Sequence, residues 1–501
     1  MRAEVFDLAV VGGGINGAGI AADAAGRGLK VVLLEKGDLA GGTSSASSKL
    51  IHGGLRYLEH MEFRLVREAL AEREVLLARA PHLIRPLRFV IPHAPGMRSR
   101  LMLRLGLFLY DHLAPRKVIP GSGPVDLLRD PMGRSLRAEF RSGFSYYDCW
   151  VDDARLVISV ALDAAQRGAT ILTRAPVTRI AERGDVWEVT ASPQGAASIQ
   201  IAARVLVNAA GPWCAHVGRL TGAVADVPAL RLVRGSHIVV PRIAGADDAY
   251  LLQNRDGRVV FAMPFEERFT LIGTTESAVA SPAEAGSVSR LEEAYLIEAA
   301  SRFFSRPIDP REIVWRFAGI RPLVEDGALS ASAVSREYRL DFVHRDNAPA
   351  LLTVIGGKIT TFRRLAEAAL ARLQPLFPGM GPAWTAGPSL PGGDVGEAGV
   401  GAYVQDLARR RPGFADKTLR RIATLYGTRA DLLLGDASGE ADLGEAMGAG
   451  LTEREVLFLR DHEWAGAAED VLWRRTKAGL HMADEERTRA EMAISRLLSE
   501  R

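Results

Sequence analysis

Asp7-Leu-Ala-Val-Val-Gly-Gly-Gly-Ile-Asn-Gly17 joins a short apolar strand, a glycine turn and the start of a helix. Asp7 to Val11 reads as the strand and Gly12 to Asn16 as the turn. Gly17 to Arg27 reads as an alanine-rich helix able to pack closely on a sheet. Gly28 closes that helix, and Lys30 to Glu35 follows as a second buried strand, which completes a βαβ unit. Gly12, Gly14 and Gly17 keep the G-x-G-x-x-G spacing. The first permits a tight turn, the second lets backbone approach a pyrophosphate, and the third lets helix and strand pack closely. The helix N-terminus, with Asn16 in its approach, offers free N–H groups and a positive dipole end to phosphate. Glu35, with Lys36 beside it, stands where a ribose-binding acid is expected. The motif predicts dinucleotide binding and leaves NAD and FAD both open.

The next segment bears on that choice. Gly41-Gly-Thr-Ser-Ser-Ala-Ser-Ser-Lys49 is dense in hydroxyls and carries one cation. An extended cofactor with two phosphates and a ribityl chain needs such donors, which Thr43, Ser44, Ser45, Ser48 and Lys49 can supply. A solvated Ser-rich loop is the usual alternative. Here the apolar, glycine-rich Leu50-Ile-His-Gly-Gly-Leu-Arg-Tyr57 follows at once and predicts a segment running inward. Late in the chain, Val354-Ile-Gly-Gly-Lys-Ile-Thr-Thr361 reads as strand, glycine turn and helix start. A second helix N-terminus can stabilise negative charge on a reduced flavin ring, which a nicotinamide enzyme does not need. FAD is therefore the expected cofactor.

With 501 residues, two or three domains are expected. Thr170 to Ile180, Arg204 to Asn208 and Ala350 to Ile355 read as further strands of the cofactor domain. From about Arg231 to Phe342 the texture changes. Gly235 to Pro241, Val259 to Pro264 and Phe269 to Gly273 read as an antiparallel sheet, with a hairpin at Asp256-Gly257. Pro378 to Gly401 reads as a linker. Helices are predicted over Tyr403 to Arg410, Lys417 to Tyr426, Thr452 to Glu463 and Ala468 to Lys477, with a capping box at Thr452 and Glu455. The fold class is α/β: an FAD-binding Rossmann-like domain, an inserted antiparallel-sheet substrate domain and a C-terminal helical domain. The cofactor domain is expected in three pieces, 1–85, 146–215 and 343–377. Segment 86–145 faces substrate and membrane, 216–342 forms the substrate sheet, 378–400 the linker and 401–501 the helical domain.

A net charge of +3 with no basic stripe argues against nucleic-acid binding. Cys149 and Cys214 form no metal or CxxC spacing, which fits a reducing compartment. No signal-peptide pattern and no bilayer-length apolar run is present, so the expected location is the cytoplasm or a membrane surface.

Several stretches resemble the aerobic, FAD-dependent glycerol-3-phosphate dehydrogenases. They are Ser47-Ser-Lys-Leu-Ile-His-Gly-Gly-Leu-Arg-Tyr-Leu-Glu59, Asp148-Cys-Trp-Val-Asp-Asp-Ala-Arg-Leu156, Asn208-Ala-Ala-Gly-Pro-Trp213, Arg234-Gly-Ser-His-Ile-Val-Val-Pro241, Gly319-Ile-Arg-Pro-Leu323 and Gly356-Gly-Lys-Ile-Thr-Thr361. Glu463-Trp-Ala and Glu469-Asp-Val-Leu-Trp-Arg-Arg-Thr-Lys477 carry the likeness into the tail. One departure is Glu276, where the family pattern suggests aspartate. The resemblance implies noncovalent FAD, sn-glycerol 3-phosphate as substrate, a membrane quinone as acceptor, a homodimer, and a peripheral position on the cytoplasmic face of the inner membrane. It adds His52, Gly53, Leu55, Val177, Gly211, Trp213, Gly356, Gly357, Lys358, Ile359 and Thr360 to the expected cofactor contacts.

Oxidising a phosphorylated secondary alcohol needs a clamp for the phosphate and a base for the hydroxyl proton. Arg56 and Arg321 suit the clamp, since a guanidinium binds two phosphate oxygens at once. Lys358 can favour alkoxide-like charge near the flavin. His237 is the first candidate base and His52 the second, while Tyr57 and Thr275 can add hydrogen bonds. Each has a bland alternative: a structural ion pair, a core histidine, or ordinary packing. Arg98-Ser-Arg-Leu-Met-Leu-Arg-Leu-Gly-Leu-Phe-Leu-Tyr110 is apolar and basic. It fits a helix lying in a lipid headgroup layer, or a buried helix with its arginines outward. Rival functions are the related oxidase branch that uses oxygen, another flavoenzyme acting on a 2-hydroxy acid or an amine, and a non-catalytic flavin sensor or carrier.

Overall fold

The Val5–Val11 strand is followed by the Ile15–Gly26 helix and the Val31–Leu34 strand, as the glycine spacing requires. Gly17 is obligatory: a Cβ there would collide with the Gly12 carbonyl oxygen. This is a computed structural model, describing residues 5–95, 97–193, 195–222, 230–324 and 337–500.

Two large sheets organise the chain. The first has the order Arg339–Val343, Ala350–Ile355, Ile199–Asn208, Val5–Val11, Val31–Leu34, Thr170–Leu172. Ala350–Ile355, Ile199–Asn208, Val5–Val11, Val31–Leu34 and Thr170–Leu172 run parallel, and Val31–Leu34 and Ala350–Ile355 are buried at every position, as near-continuous apolar runs. An antiparallel meander, Val177–Arg183 and Val186–Ala191, is attached to Ile199–Asn208. The single strand expected over 170–180 is therefore two. Chain direction changes at Arg174, which has φ +52°, a conformation that rules out strand continuation. Helices Ile15–Gly26, Asp153–Gln166 and Phe362–Leu373 cover this sheet.

The second sheet runs Ser277–Val279, Leu230–Pro241, Phe269–Gly273, Val259–Phe265, Ala249–Gln253, Ile84–His93, Ser142–Val151, Leu50–Ile51. Trp315–Val324 and Gly123–Asp126 pair alongside it. It is not wholly antiparallel, since Ala249–Gln253 runs parallel to Ile84–His93. The expected hairpin is present, with Gly257 at φ +78° in the turn. Two expected boundaries move. Arg339–Val343 belongs to the first sheet, because its edge pairs with Ala350–Ile355. Ser142–Val151 belongs to the second, because it pairs along Ile84–His93.

The stretch read as a linker is pinned down. Gly381 N–H donates to Arg27 O, Leu390 N–H to Arg79 O, and Trp384 Nε1–H to Asp23 O. A composition rich in Pro and Gly here marks turns against a surface, not slack. The helical domain beyond it has its own core, built around Leu407, Ile422, Leu433, Val456, Leu459 and Ile494. Helices Gly399–Arg410, Asp416–Tyr426 and Glu453–Glu463 match expectation, and Asp484–Ser499 adds a helix that was not anticipated. The predicted capping box is absent. Thr452 makes no side-chain cap, and the Glu455 carboxylate is taken by Arg421 and the Tyr426 hydroxyl. The helix expected over 468–477 is a π-helical turn, Asp470–Arg475.

Candidate active site

A cavity of ≈ 740 Å³ lies between the carboxyl ends of the parallel strands and the second sheet. Its floor is the glycine turn. A Cβ on Gly12 would stand 2.5 Å from Ala209 O, so only glycine keeps the turn against the neighbouring strand end. Asn16 Nδ2 donates to Gly356 O at 3.0 Å, while its Oδ1 is buried without a partner. That couples the first helix start to the late glycine turn, where Gly356 and Gly357 have φ +73° and +91°. Ser44 Oγ accepts from Ile15 N–H at 3.0 Å, and Thr43 Oγ1 donates to Ile320 O at 2.6 Å, so the hydroxyl segment folds over the cavity. Glu35 accepts from Gly13 N–H and Gly37 N–H at 2.6 and 2.8 Å, and burial raises its pKa. Lys36 Nζ stands 3.5 Å over the Trp213 ring, and burial lowers its pKa.

Gly12, Gly14, Asn16, Glu35, Lys36, Thr43, Ser44, Ser48, His52, Leu55, Val177, Gly211, Trp213, Gly356, Gly357, Lys358, Ile359 and Thr360 all line this space. Arg56, Tyr57, His237 and Arg321 line the same space, so the expected clamp and base stand with the cofactor cradle. Other expected residues are turned away. Lys49 is buried, donating to Asp153 Oδ1 at 2.8 Å and Ser45 O at 2.9 Å. Its charge is already matched, and it braces the hydroxyl segment from behind. Ser45 bends back to Gly42 O. Gly53 donates to Asp148, whose carboxylate also takes Arg73 and the Tyr110 hydroxyl. That buried cluster fixes the turn leading to Arg56. Thr275 faces the other side of the wall, accepting from Ser236 N–H and donating to Glu292. Its neighbours Thr274 and Glu276 line the cavity instead. Neither was anticipated as a contact, and the alternation of side chains along extended backbone is the signal that could have found them.

The wall itself is built by cross-strand register. His237 faces Gly273 on one neighbour and Phe317 on the other, and its ring stacks on Phe317 at 4.8 Å. Its Nε2 lies 2.9 Å from Ser48 Oγ, and its Nδ1 is buried without a partner. Burial, then the charges of Lys49 and Arg321, push its pKa down to about 3, so the imidazole is neutral at physiological pH. Arg321 leans over Gly235, where a Cβ would meet its Nη2 at 2.6 Å. It is 3.6 Å from Glu276 Oε1 and 3.5 Å from Thr274 Oγ1. Lys358 Nζ is 3.7 Å from the centre of the Tyr57 ring. The glycine cradle, the buried acceptor of Asn16 and the ≈ 740 Å³ cavity fit FAD. Among the described residues no cluster could hold a metal ion.

Comparison with known proteins agrees. Residues 7–363 match the family model of FAD dependent oxidoreductases, and 383–500 match the C-terminal domain of alpha-glycerophosphate oxidase. A glycerol-3-phosphate dehydrogenase of Pseudomonas aeruginosa is 50% identical over 97% of this chain and 94% of its own. The aerobic glycerol-3-phosphate dehydrogenase of Escherichia coli is 47% identical over 97% and 96%. A D-erythritol 1-phosphate dehydrogenase of Brucella abortus is 48% identical over the same shares. The crystal structure of glycerol-3-phosphate dehydrogenase from Bacillus halodurans complexed with FAD superposes with TM-score 0.75 at 26% identity, covering 99% of this chain and 95% of that one. The chain thus belongs to the FAD-dependent oxidoreductase family and is an FAD enzyme of the glycerol-3-phosphate dehydrogenase type.

Proposed function

We propose that the protein oxidises sn-glycerol 3-phosphate to dihydroxyacetone phosphate and passes the electrons to a membrane quinone. The observation that carries this reading is the convergence of Arg56, Arg321, His237 and Lys358 on the cavity that holds the glycine cradle. The cradle of Gly12, Gly14, Gly356 and Gly357 would hold FAD, which would supply a hydride acceptor for the oxidation. The protein's own groups do the rest. Arg321, whose guanidinium lies over Gly235, and Arg56 grip the phosphate dianion. His237, neutral and facing the cavity, takes the hydroxyl proton. A dianion beside Arg321 offsets part of the positive field that depresses the imidazole, so substrate binding itself makes His237 more basic. Lys358 stabilises the developing oxyanion.

The test is anaerobic addition of sn-glycerol 3-phosphate to the purified yellow protein. Rapid loss of flavin colour supports the reading. The Brucella relative makes D-erythritol 1-phosphate the natural competitor, and faster reduction by that compound would reassign the substrate. Reoxidation by oxygen at the rate of turnover, without quinone, would favour an oxidase.

A membrane-surface position is part of the proposal. Among the described residues no helix is long and apolar enough to cross a bilayer. The helix Arg100–His112 buries Leu103, Leu107 and Tyr110, yet its outer face is also apolar: Leu101 is 79% exposed, Leu105 58% and Phe108 54%. Arg104 is exposed beside them. An apolar outer face edged by a cation suits a headgroup layer.

A further inference from the structure

The helical domain is not needed to build the phosphate clamp or the base, yet two of its residues reach the cavity. Glu469 and Arg474 line it, together with Glu35, Lys36, Gly37 and Asp38 at the end of the second strand. That end carries the ribose-binding acid, so it is the adenosine end of the site. Arg474 is tied on all three nitrogens. Nε donates to Asp38 at 2.6 Å, Nη1 to Glu469 at 2.7 Å and Nη2 to Asp470 at 2.5 Å. Asp470 is itself fixed by Gly466 N–H, Ala467 N–H and Arg174. Arg475 completes the junction through both Asp38 oxygens and Glu463 O. A guanidinium bound on every nitrogen along its edges has its flat face left to offer a ligand, and such a face stacks on an aromatic base.

We propose that Arg474 is a cofactor-positioning residue, whose plane stacks with the adenine of FAD, so that the C-terminal helical domain closes the adenosine end of the flavin site. The bracing carboxylates of Asp38, Glu469 and Asp470 hold the plane in place before the cofactor arrives. A base stacked there gains contact at little ordering cost. Arg475 alone keeps the Asp38 carboxylate paired, so removing the Arg474 side chain leaves the domain junction charged and matched.

The experiment uses the full-length protein stripped of flavin and titrated with FAD and with FMN, which lacks adenosine, by quenching of flavin fluorescence. For Arg474→Ala the expected result is an FAD Kd raised about 10-fold, equivalent to about 1.4 kcal/mol, with the FMN Kd within about 2-fold of wild type. Arg474→Leu, which keeps bulk without the plane, should behave like Arg474→Ala. Equal weakening of FAD and FMN would mean a general loosening of the cavity and overturns the proposal. Unchanged FAD affinity also overturns it, leaving Arg474 as a staple between domains. Should Arg474→Ala fail to fold, Glu469→Ala serves, because that side chain is 69% exposed. It is expected to weaken FAD about 3-fold with FMN unchanged, and no change in FAD affinity counts against the idea. Failure of the wild type to take up FAD is a separate result and concerns the flavin assignment itself.

Discussion

Ser48 Oγ lies 2.9 Å from His237 Nε2, although the two residues are 189 positions apart in the chain. The contact joins the hydroxyl segment of the cofactor domain to the substrate sheet. It also sets the imidazole plane, together with the Phe317 ring on which it stacks. Substituting His237→Gln removes the proton acceptor while keeping a side chain that can bond Ser48. The rate of flavin reduction at saturating sn-glycerol 3-phosphate should fall about 10²- to 10⁴-fold, with FAD retained. Ser48→Ala should cost far less, since it releases the ring without removing it. Stopped-flow absorbance at the flavin band reads both.

Arg321 and Glu276 are 3.6 Å apart, and both line the cavity with the glycine cradle. Arg321→Ala is expected to lower kcat/KM for sn-glycerol 3-phosphate by at least about 10²-fold without loss of bound flavin. Arg321→Lys should recover only part, because an ammonium cannot present the two-pronged donor. Near-normal kcat/KM in either variant would remove Arg321 from the clamp.

Much of this site was legible in the sequence, and the exceptions share a cause. The glycine turn, its strand and its helix follow from local rules, as only glycine tolerates the approach of Ala209 O at residue 12. Arg56, His237, Lys358 and Arg321 are expected from residue types suited to the chemistry, with the family resemblance pointing to both arginines, and the fold brings them to one cavity. Lys49 and Thr275 were not distinguishable from true lining residues, because which side of a segment faces inward depends on partners such as Asp153 and Glu292 far away in the chain. The same holds for Thr452 and Glu455. Their spacing is that of a cap, but Arg421 and Tyr426 claim the carboxylate. The region 378–400 looks loose by composition, and its backbone partners at Arg27 and Arg79 lie hundreds of residues earlier.

Acid should weaken the fold through a histidine remote from the chemistry. His82 is buried beside Arg155 and Arg429, and burial followed by those charges takes its pKa down to about 3. The unfolded chain binds a proton at this residue near 6.5, and the native state does not. Its stability is therefore complete above pH 6.5 and declines as the pH falls towards 3. At pH 5 the loss from this one group is about 2 kcal/mol. Urea denaturation of wild type and His82→Gln at pH 7.5 and pH 5.0 checks it, and the variant should lose less on acidification.

Placing charge on the outer face of the helix Arg100–His112 should release the protein from lipid. Leu105→Glu with Phe108→Glu changes only exposed positions, so folding and detergent-supported flavin reduction should be preserved. Cosedimentation with anionic liposomes should fall about 10-fold or more. Undiminished cosedimentation would mean that another surface makes the contact.

Neighbouring strands of the cofactor sheet are Val5–Val11, Ile199–Asn208 and Ala350–Ile355, so adjacent rungs come from the start, middle and late part of the chain. Such distant partners make slow folding intrinsic to the design. On the ribosome, the first strand must wait for some 340 further residues before its sheet is complete. The nucleotide cradle is the first piece synthesised, yet the sheet beneath it is complete only once Ile355 has been made.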